Sequence, residues 1–261
     1  MSAPAVSPFV EARDLVLTYD GTTAVAASSF SLPEGGVTAI IGPNGSGKST
    51  LLHAIAGTLT PAGGELKVYG APPSEAWRKA AYVMQSVTVP PGTPITVREV
   101  VGMGRYPTLG WFRRFRREDR ARVDAAMEQL GITDLAKRHL MELSGGQRQR
   151  VYVAQALAQD HEALLLDEPL TGLDIVSARM IDEIIHSEQA VGHSVILTTH
   201  DLDEARAADH VILMSGRVVA FGAPAEVLTR RNLEDAYGLG SLHDSDHELF
   251  IDDPTGTHRH P

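Results

Sequence analysis

The segment Gly42-Pro43-Asn44-Gly45-Ser46-Gly47-Lys48-Ser49-Thr50 constrains this chain more than any other. It fits G-x-x-x-x-G-K-[ST] and lies where that pattern has a mechanism. Before it runs Val37-Thr38-Ala39-Ile40-Ile41, a β-branched apolar run that reads as a buried strand. After it, Lys48 to Gly57 reads as a helix stopped by glycine. Glycines let backbone N–H groups close around phosphate, and the helix N-terminus adds partial positive charge. Lys48 reaches the β- and γ-phosphates, and Ser49 is placed to hold Mg²⁺.

The rest of the chain predicts an α/β fold around that turn. Leu164-Leu165-Leu166, Ser194–Thr199 and Asp209–Met214 are further short apolar runs, separated by helix-length segments. Such alternation predicts a mainly parallel sheet with flanking helices. The first 35 residues alternate less regularly and read as an antiparallel patch. From about Thr96 to Arg138 no strand is predicted. Thr96-Val97-Arg98-Glu99 is a capping box opening one helix, and Glu118 to Leu130 fits a second, with Gly131 at its C′ position. Residues 86–145 are therefore read as a helical subdomain inserted in the α/β core.

Composition narrows the function. With 261 residues, 43% hydrophobic and 21% charged, the chain can bury a substantial core. No apolar run approaches the roughly 18 to 20 residues of a membrane helix, and no secretory leader is visible at Met1-Ser2-Ala3-Pro4. Cysteine is absent, which excludes thiolate chemistry and fits a reducing compartment. The net charge of −10 argues against a general nucleic-acid binder, which needs a basic footprint.

Two further motifs carry chemistry. Leu166-Asp167-Glu168 ends an apolar strand in two acids: Asp167 can hold the Mg²⁺ shell, and Glu168 can orient and deprotonate an attacking water. Leu143-Ser144-Gly145-Gly146-Gln147 is an S-x-x-Q capping box with a double glycine, a second helix start able to bind phosphate.

Together these motifs resemble the ABC-type ATPases, of which LSGGQ is the signature; the resemblance spans about residues 9 to 235. It implies a P-loop core of ABC type, ATP and Mg²⁺ as cofactors, and a head-to-tail homodimer. In that dimer Ser144, Gly145 and Gly146 of one copy, with Gln147 behind them, cap the γ-phosphate held by Lys48 of the other. It also assigns roles by position. Tyr19 matches the residue that stacks on adenine. Gln85 matches the Q-loop glutamine that touches Mg²⁺ and leads into the helical subdomain. Asp174, in Leu170-Thr171-Gly172-Leu173-Asp174, matches the D-loop acid facing the partner. His200 matches the switch histidine on the γ-phosphate. Lys48, Gln85, Glu168 and His200 are thus the catalytic set, and Ser49, Gln85 and Asp167 the metal set.

The resemblance further implies coupling to an integral membrane permease at the cytoplasmic face of the membrane. Gly104-Arg105-Tyr106-Pro107, Leu109-Gly110-Trp111-Phe112-Arg113-Arg114 and Val218–Gly222 are similar to ATPases of manganese and zinc importers, served by an extracytoplasmic metal-binding protein. Iron-chelate or haem importers share the Gly-Arg-Tyr-Pro element. A soluble ATPase of iron–sulfur cluster assembly is the alternative of a different class. The arginine run 113–117 is either a contact to the membrane subunit or a solvated loop. Residues 236–261 form an acidic tail with His243, His247, His258 and His260, read either as a weak metal sensor or as a plain polar terminus.

Overall fold

Ten α-helices, three short 3-10 helices and nine strands are seen in a computed structural model that describes residues 8–85, 90, 92–109 and 114–238. The strands are β1 (Val10–Tyr19), β2 (Thr22–Leu32), β3 (Gly36–Ile41), β4 (Gly63–Val68), β5 (Ala80–Val83), β6 (Ala163–Leu166), β7 (Ser194–Thr199), β8 (His210–Met214) and β9 (Val218–Gly222). The helices are α1 (Lys48–Ile55), α2 (Pro73–Ala76), α3 (Val97–Met103), α4 (Tyr106–Leu109), α5 (Arg117–Gln129), α6 (Gly145–Leu157), α7 (Ile175–Ala190), α8 (Leu202–Ala207), α9 (Pro224–Val227) and α10 (Arg230–Tyr237).

The strands form two sheets. A six-stranded sheet has the order β5-β6-β7-β3-β8-β9, parallel except for the edge strand β9. A three-stranded antiparallel sheet, β2-β1-β4, supplies the expected N-terminal patch and recruits β4 from after α1. Residues of the inner strands alternate between two cores. Ile40, Leu165, Ile196 and Ile212 pack with α1 and the antiparallel sheet. Ile41, Leu164, Leu166, Val195, Leu197 and Leu213 pack with residues of α3, α5, α6 and α7. Burial on both faces is why these strands read as continuous apolar runs.

Among its described residues the predicted helical stretch carries no strand; it holds α3, α4 and α5 with turns and short 3-10 helices. Thr96 caps α3 as the sequence indicates, its side chain accepting from the Glu99 N–H at 3.4 Å while its own N–H donates to Glu99 at 2.8 Å. Gly131 follows α5 with φ 57°. Gly104-Arg105 locks this region to α6: a Cβ at Gly104 would strike the carbonyl oxygen of Gln155. Arg105 is buried, donating to the Ala158 carbonyl at 2.8 Å and to Asp119 and Asp160 at 3.1 Å each. Of the arginine run, Arg113 lies outside the described residues, as do Gly110, Trp111 and Phe112 of the adjoining segment and all four tail histidines.

Candidate active site

Parallel register brings the sequence motifs to one edge of the sheet. Ile41 pairs with Thr199 and with Leu213, so Gly42 stands beside His200 and the end of β8. Leu166 pairs with Leu197 and with Val83, which sets Asp167 beside Thr198 and sends the chain after β5 toward Gln85. This is the carboxyl edge of an open α/β sheet, where such folds bind ligands.

The P-loop turns within narrow limits. Gly47 has φ 95°, and a Cβ there would come within 2.7 Å of the Ala24 carbonyl oxygen of β2. A Cβ at Gly42 would strike the Met214 carbonyl oxygen. Pro43 is half-buried, Asn44 and Gly45 are exposed, and Ser49 and Thr50 are half-buried in the first turn of α1. No side chain caps that helix, so its first N–H groups keep their capacity for a ligand. Ser46 Oγ is buried without a hydrogen-bond partner. Lys48 folds back over the loop, its Nζ donating to the Gly42 carbonyl at 2.9 Å and the Pro43 carbonyl at 3.2 Å. Burial lowers its pKa, opposed by the charges of Glu168 and Asp167.

Across from α1 the acids form a connected set. Asp167 Oδ1 accepts from Ser49 Oγ at 3.0 Å and from Thr198 Oγ1 at 2.6 Å. Glu168 follows with φ 46°, a left-handed conformation that costs a non-glycine residue about 1–3 kcal/mol. Its N–H donates to Thr198 Oγ1 at 2.8 Å, and its carboxylate accepts from Gln85 Nε2 at 2.6 Å. Thr198 therefore orients both acids, a role hidden in a sequence where it reads only as a β-branched strand residue. His200 is exposed at the end of β7, and Tyr19 is 59% exposed where the β1–β2 hairpin turns.

The second helix start stands elsewhere. Ser144 caps α6 through both bonds of its box: the Gln147 N–H donates to its Oγ at 3.2 Å, and its own N–H donates to Gln147 Oε1 at 3.0 Å. Gly146 packs on the start of α7, where a Cβ would meet Asp174 Oδ2 and, at 2.7 Å, Ser177 Oγ. Asp174 caps α7, accepting from the Ser177 N–H at 2.9 Å and its hydroxyl at 2.8 Å. Among the described residues, no hydrogen bond or ion pair joins residues 144–147 or 174 to the P-loop. The chain thus brings together Lys48, Ser49, Gln85, Asp167 and Glu168, and holds Ser144, Gly145, Gly146, Gln147 and Asp174 as a separate group.

A family model described as ABC transporter matches residues 25–171. This chain belongs to the ABC transporter family. As an ABC ATPase it binds and hydrolyses ATP. It is 40% identical to the zinc transport system ATP-binding protein TroB of Treponema pallidum over 230 residues, 88% of this chain and 86% of that protein. It is 41% identical to the chelated iron transport system membrane protein YfeB of Yersinia pestis over 243 residues, 91% of this chain and 82% of that one. A dimeric ATP-binding cassette in a post-hydrolysis state, bound to ADP and Pi, superposes with a TM-score of 0.73 at 26% identity, covering 82% of this chain and 98% of that one. No described helix of this ABC protein is long and apolar enough to cross a membrane.

Proposed function

We propose that this chain is the ATPase subunit of an importer for a metal cation, zinc or manganese, and works as a head-to-tail homodimer at the cytoplasmic face of the membrane on a separate permease. One observation carries the dimer: two helix starts suited to phosphate lie on one chain with no hydrogen bond or ion pair between them among the described residues. One is uncapped and lined by an unpartnered Ser46 hydroxyl; the other carries Ser144, Gly145 and Gly146. A second copy, turned about a two-fold axis, supplies the missing half to each. The likeness to a dimeric cassette with ADP and Pi supports this reading. Residues 9–235 are then one nucleotide-binding domain, with about 86–145 as its helical subdomain and 236–261 as a tail.

The residues fit Mg²⁺. Ser49 Oγ and Asp167 Oδ1 already lie 3.0 Å apart as hard oxygen donors, with the Gln85 side chain nearby on Glu168. Ser49 and Asp167 would hold that ion, and it would supply positive charge to offset the phosphates. Lys48 exchanges the Gly42 and Pro43 carbonyls for the β- and γ-phosphates. Glu168, held by Gln85 and by the Thr198 hydroxyl, accepts a proton from the attacking water. His200 hydrogen-bonds the γ-phosphate, Tyr19 stacks on adenine, and Asp174 faces the partner copy.

The permease contact falls on the helical subdomain. A cleft of about 560 Å³ there is lined by Ile95, Arg98, Met103, Tyr106 and Phe115, apolar with charged edges, and suits a short helix of a membrane subunit. That cleft favours a transporter over a soluble assembly ATPase. A chelated-iron cargo is the second reading, favoured by the likeness to YfeB. The test is co-purification with the native permease and ATPase assay against cargo on its binding protein. Stimulation by Zn²⁺ or Mn²⁺ supports the reading. Stimulation by an iron chelate alone replaces the cargo, and absence of any membrane partner overturns the transporter.

A further inference from the structure

At the opposite edge of the six-stranded sheet, where β6 and β7 begin, three side chains converge outside the nucleotide site. His161 precedes β6, Glu188 lies in the last turn of α7, and His193 precedes β7. Glu188 Oε2 is 2.9 Å from His161 Nε2 and 2.6 Å from His193 Nδ1, and the three potential donor atoms lie within 4.8 Å of one another. The site is sheltered, with side-chain exposures of 5% for His161, 14% for Glu188 and 33% for His193.

Its wiring fits a metal site. His161 Nδ1 lies 2.9 Å from the Gln159 carbonyl oxygen, which only accepts, so that nitrogen carries the proton. In the neutral ring the Nε2 lone pair then points at a carboxylate that also only accepts. Two acceptors facing each other at 2.9 Å need a proton or a cation between them. A backbone carbonyl fixing the far imidazole nitrogen is the usual outer-shell support of a metal-bound histidine. The neighbouring acids are already neutralised. Asp160 pairs with Arg105 at 3.1 Å and Arg122 at 2.7 Å, and Glu162 pairs with Lys79 at 3.0 Å. Glu188 has only the two imidazoles as ionic partners among the described residues.

We infer that His161, Glu188 and His193 form a binding site for a divalent cation of the zinc class, distinct from the Mg²⁺ position. Two imidazoles and a carboxylate match zinc in donor type and leave a fourth position open. That position faces a cleft of about 520 Å³, lined also by Gln159, Asp160 and Arg122, which gives entry from solvent. Ligands about 2.0–2.2 Å from an ion sit roughly 3.3 Å apart, so the contacts of 2.9 and 2.6 Å widen by about 0.4 and 0.7 Å on binding. The occupant ties the end of α7 to the starts of β6 and β7. The same helix begins at Asp174, so the ion and the D-loop sit at its two ends.

The test titrates the full chain with Co²⁺ as a spectroscopic substitute for Zn²⁺, in excess Mg²⁺ to fill the oxygen site. The expected result is one equivalent giving the visible absorption of four-coordinate Co²⁺, displaced by Zn²⁺, with a raised Tm. His161→Gln combined with His193→Gln weakens binding by more than about 100-fold, beyond the loss typical of a mere outer-shell partner. His193→Gln alone, at a partly exposed ring, weakens it without endangering the fold. Replacing His243, His247, His258 and His260 with Gln leaves the equivalent in place. No such absorption in the parent chain, its survival in both His193 variants, or its loss with the tail histidines would each overturn the inference.

Discussion

The two helix starts proposed to face phosphate are built in opposite ways. α6 is closed on itself: Ser144 and Gln147 exchange both bonds of a capping box, and Gly146 packs on the Asp174-capped start of α7. α1 is open: Gly47 at φ 95° caps nothing, Ser46 Oγ has no partner, and Lys48 rests on the carbonyls of its own loop. The first forms from local sequence and is ready before any ligand arrives. The second keeps donors that no group of the described chain satisfies, the Ser46 hydroxyl among them. In the proposed dimer the self-capped half-site is presented to the partner, while the uncapped half loads the nucleotide.

The largest effect expected is on the acid that serves the open half. Glu168→Gln keeps the shape and the φ of 46° but removes the base, and should lower hydrolysis by about 10²–10⁴-fold. Nucleotide binding survives, so ATP should accumulate the variant as a dimer on size exclusion. Hydrolysis at the parental rate would remove Glu168 from its role. Next comes Thr198→Val, which keeps volume and strand propensity while deleting the hydroxyl shared by Asp167 and the Glu168 N–H. Leaving those groups without it costs about 1–3 kcal/mol. Most of that should appear as a fall in kcat, since the groups it releases are the proposed metal ligand and base. If Tm falls but kcat does not, Thr198 is only structural.

ATP itself should report how open the α1 start is. With Glu168→Gln to prevent turnover, saturation at about 100 times Kd stabilises the chain by about 2.7 kcal/mol, and hydrogen exchange at residues 45–49 should slow far more than at 97–103. Equal slowing would mean that the P-loop is no more open than the rest of the chain.

How much of this was legible in sequence follows the same division. The P-loop, the Asp167-Glu168 pair and both capping boxes are local patterns, so spacing alone placed them. Thr96 and Ser144 cap as their sequences indicate. β5 was not legible because four residues, two of them alanine, make no periodic signal until they pair with β6. β4 opens with two glycines, and β9 is a half-buried edge strand with weak contrast between its faces. Thr198 became visible only once β6 and β7 were in register. Arg105 lay within a segment quoted for cargo, yet its side chain is spent on Ala158, Asp119 and Asp160. That motif therefore reports how the helical region is anchored to α6, and family likeness in it carries little information on the transported ion. The His161–Glu188–His193 cluster joins positions 27 and 5 residues apart, a spacing that no short motif contains.

Breaking the closed helix start is a smaller perturbation. Ser144→Ala removes the cap and should cost about 1 kcal/mol, a Tm decrease of roughly 2–4 °C without nucleotide. Ser144→Thr keeps the cap and should restore Tm. If Ser144→Ala leaves Tm unchanged, the box contributes nothing to the free chain and the helix is held by packing alone.

The smallest effect concerns charge at the neighbouring cap. The Ser177 backbone N–H, then its hydroxyl, holds the Asp174 carboxyl below the usual carboxylate range. A depressed carboxylate stabilises the fold above its unfolded pKa of about 3.9, and that contribution is lost as pH falls through the lower folded value. Asn is an equally good cap, so Asp174→Asn isolates the charge. Parent and variant should differ slightly in Tm near neutral pH and converge on acidification below the ordinary aspartate range. The charge lies against Gly146, where a partner's phosphate is proposed to bind, so it also opposes an incoming anion. Added ATP should therefore narrow the gap in Tm from the parent's side. A gap that widens with ATP would place Asp174 as an attractive contact to the partner and not merely as the cap of α7.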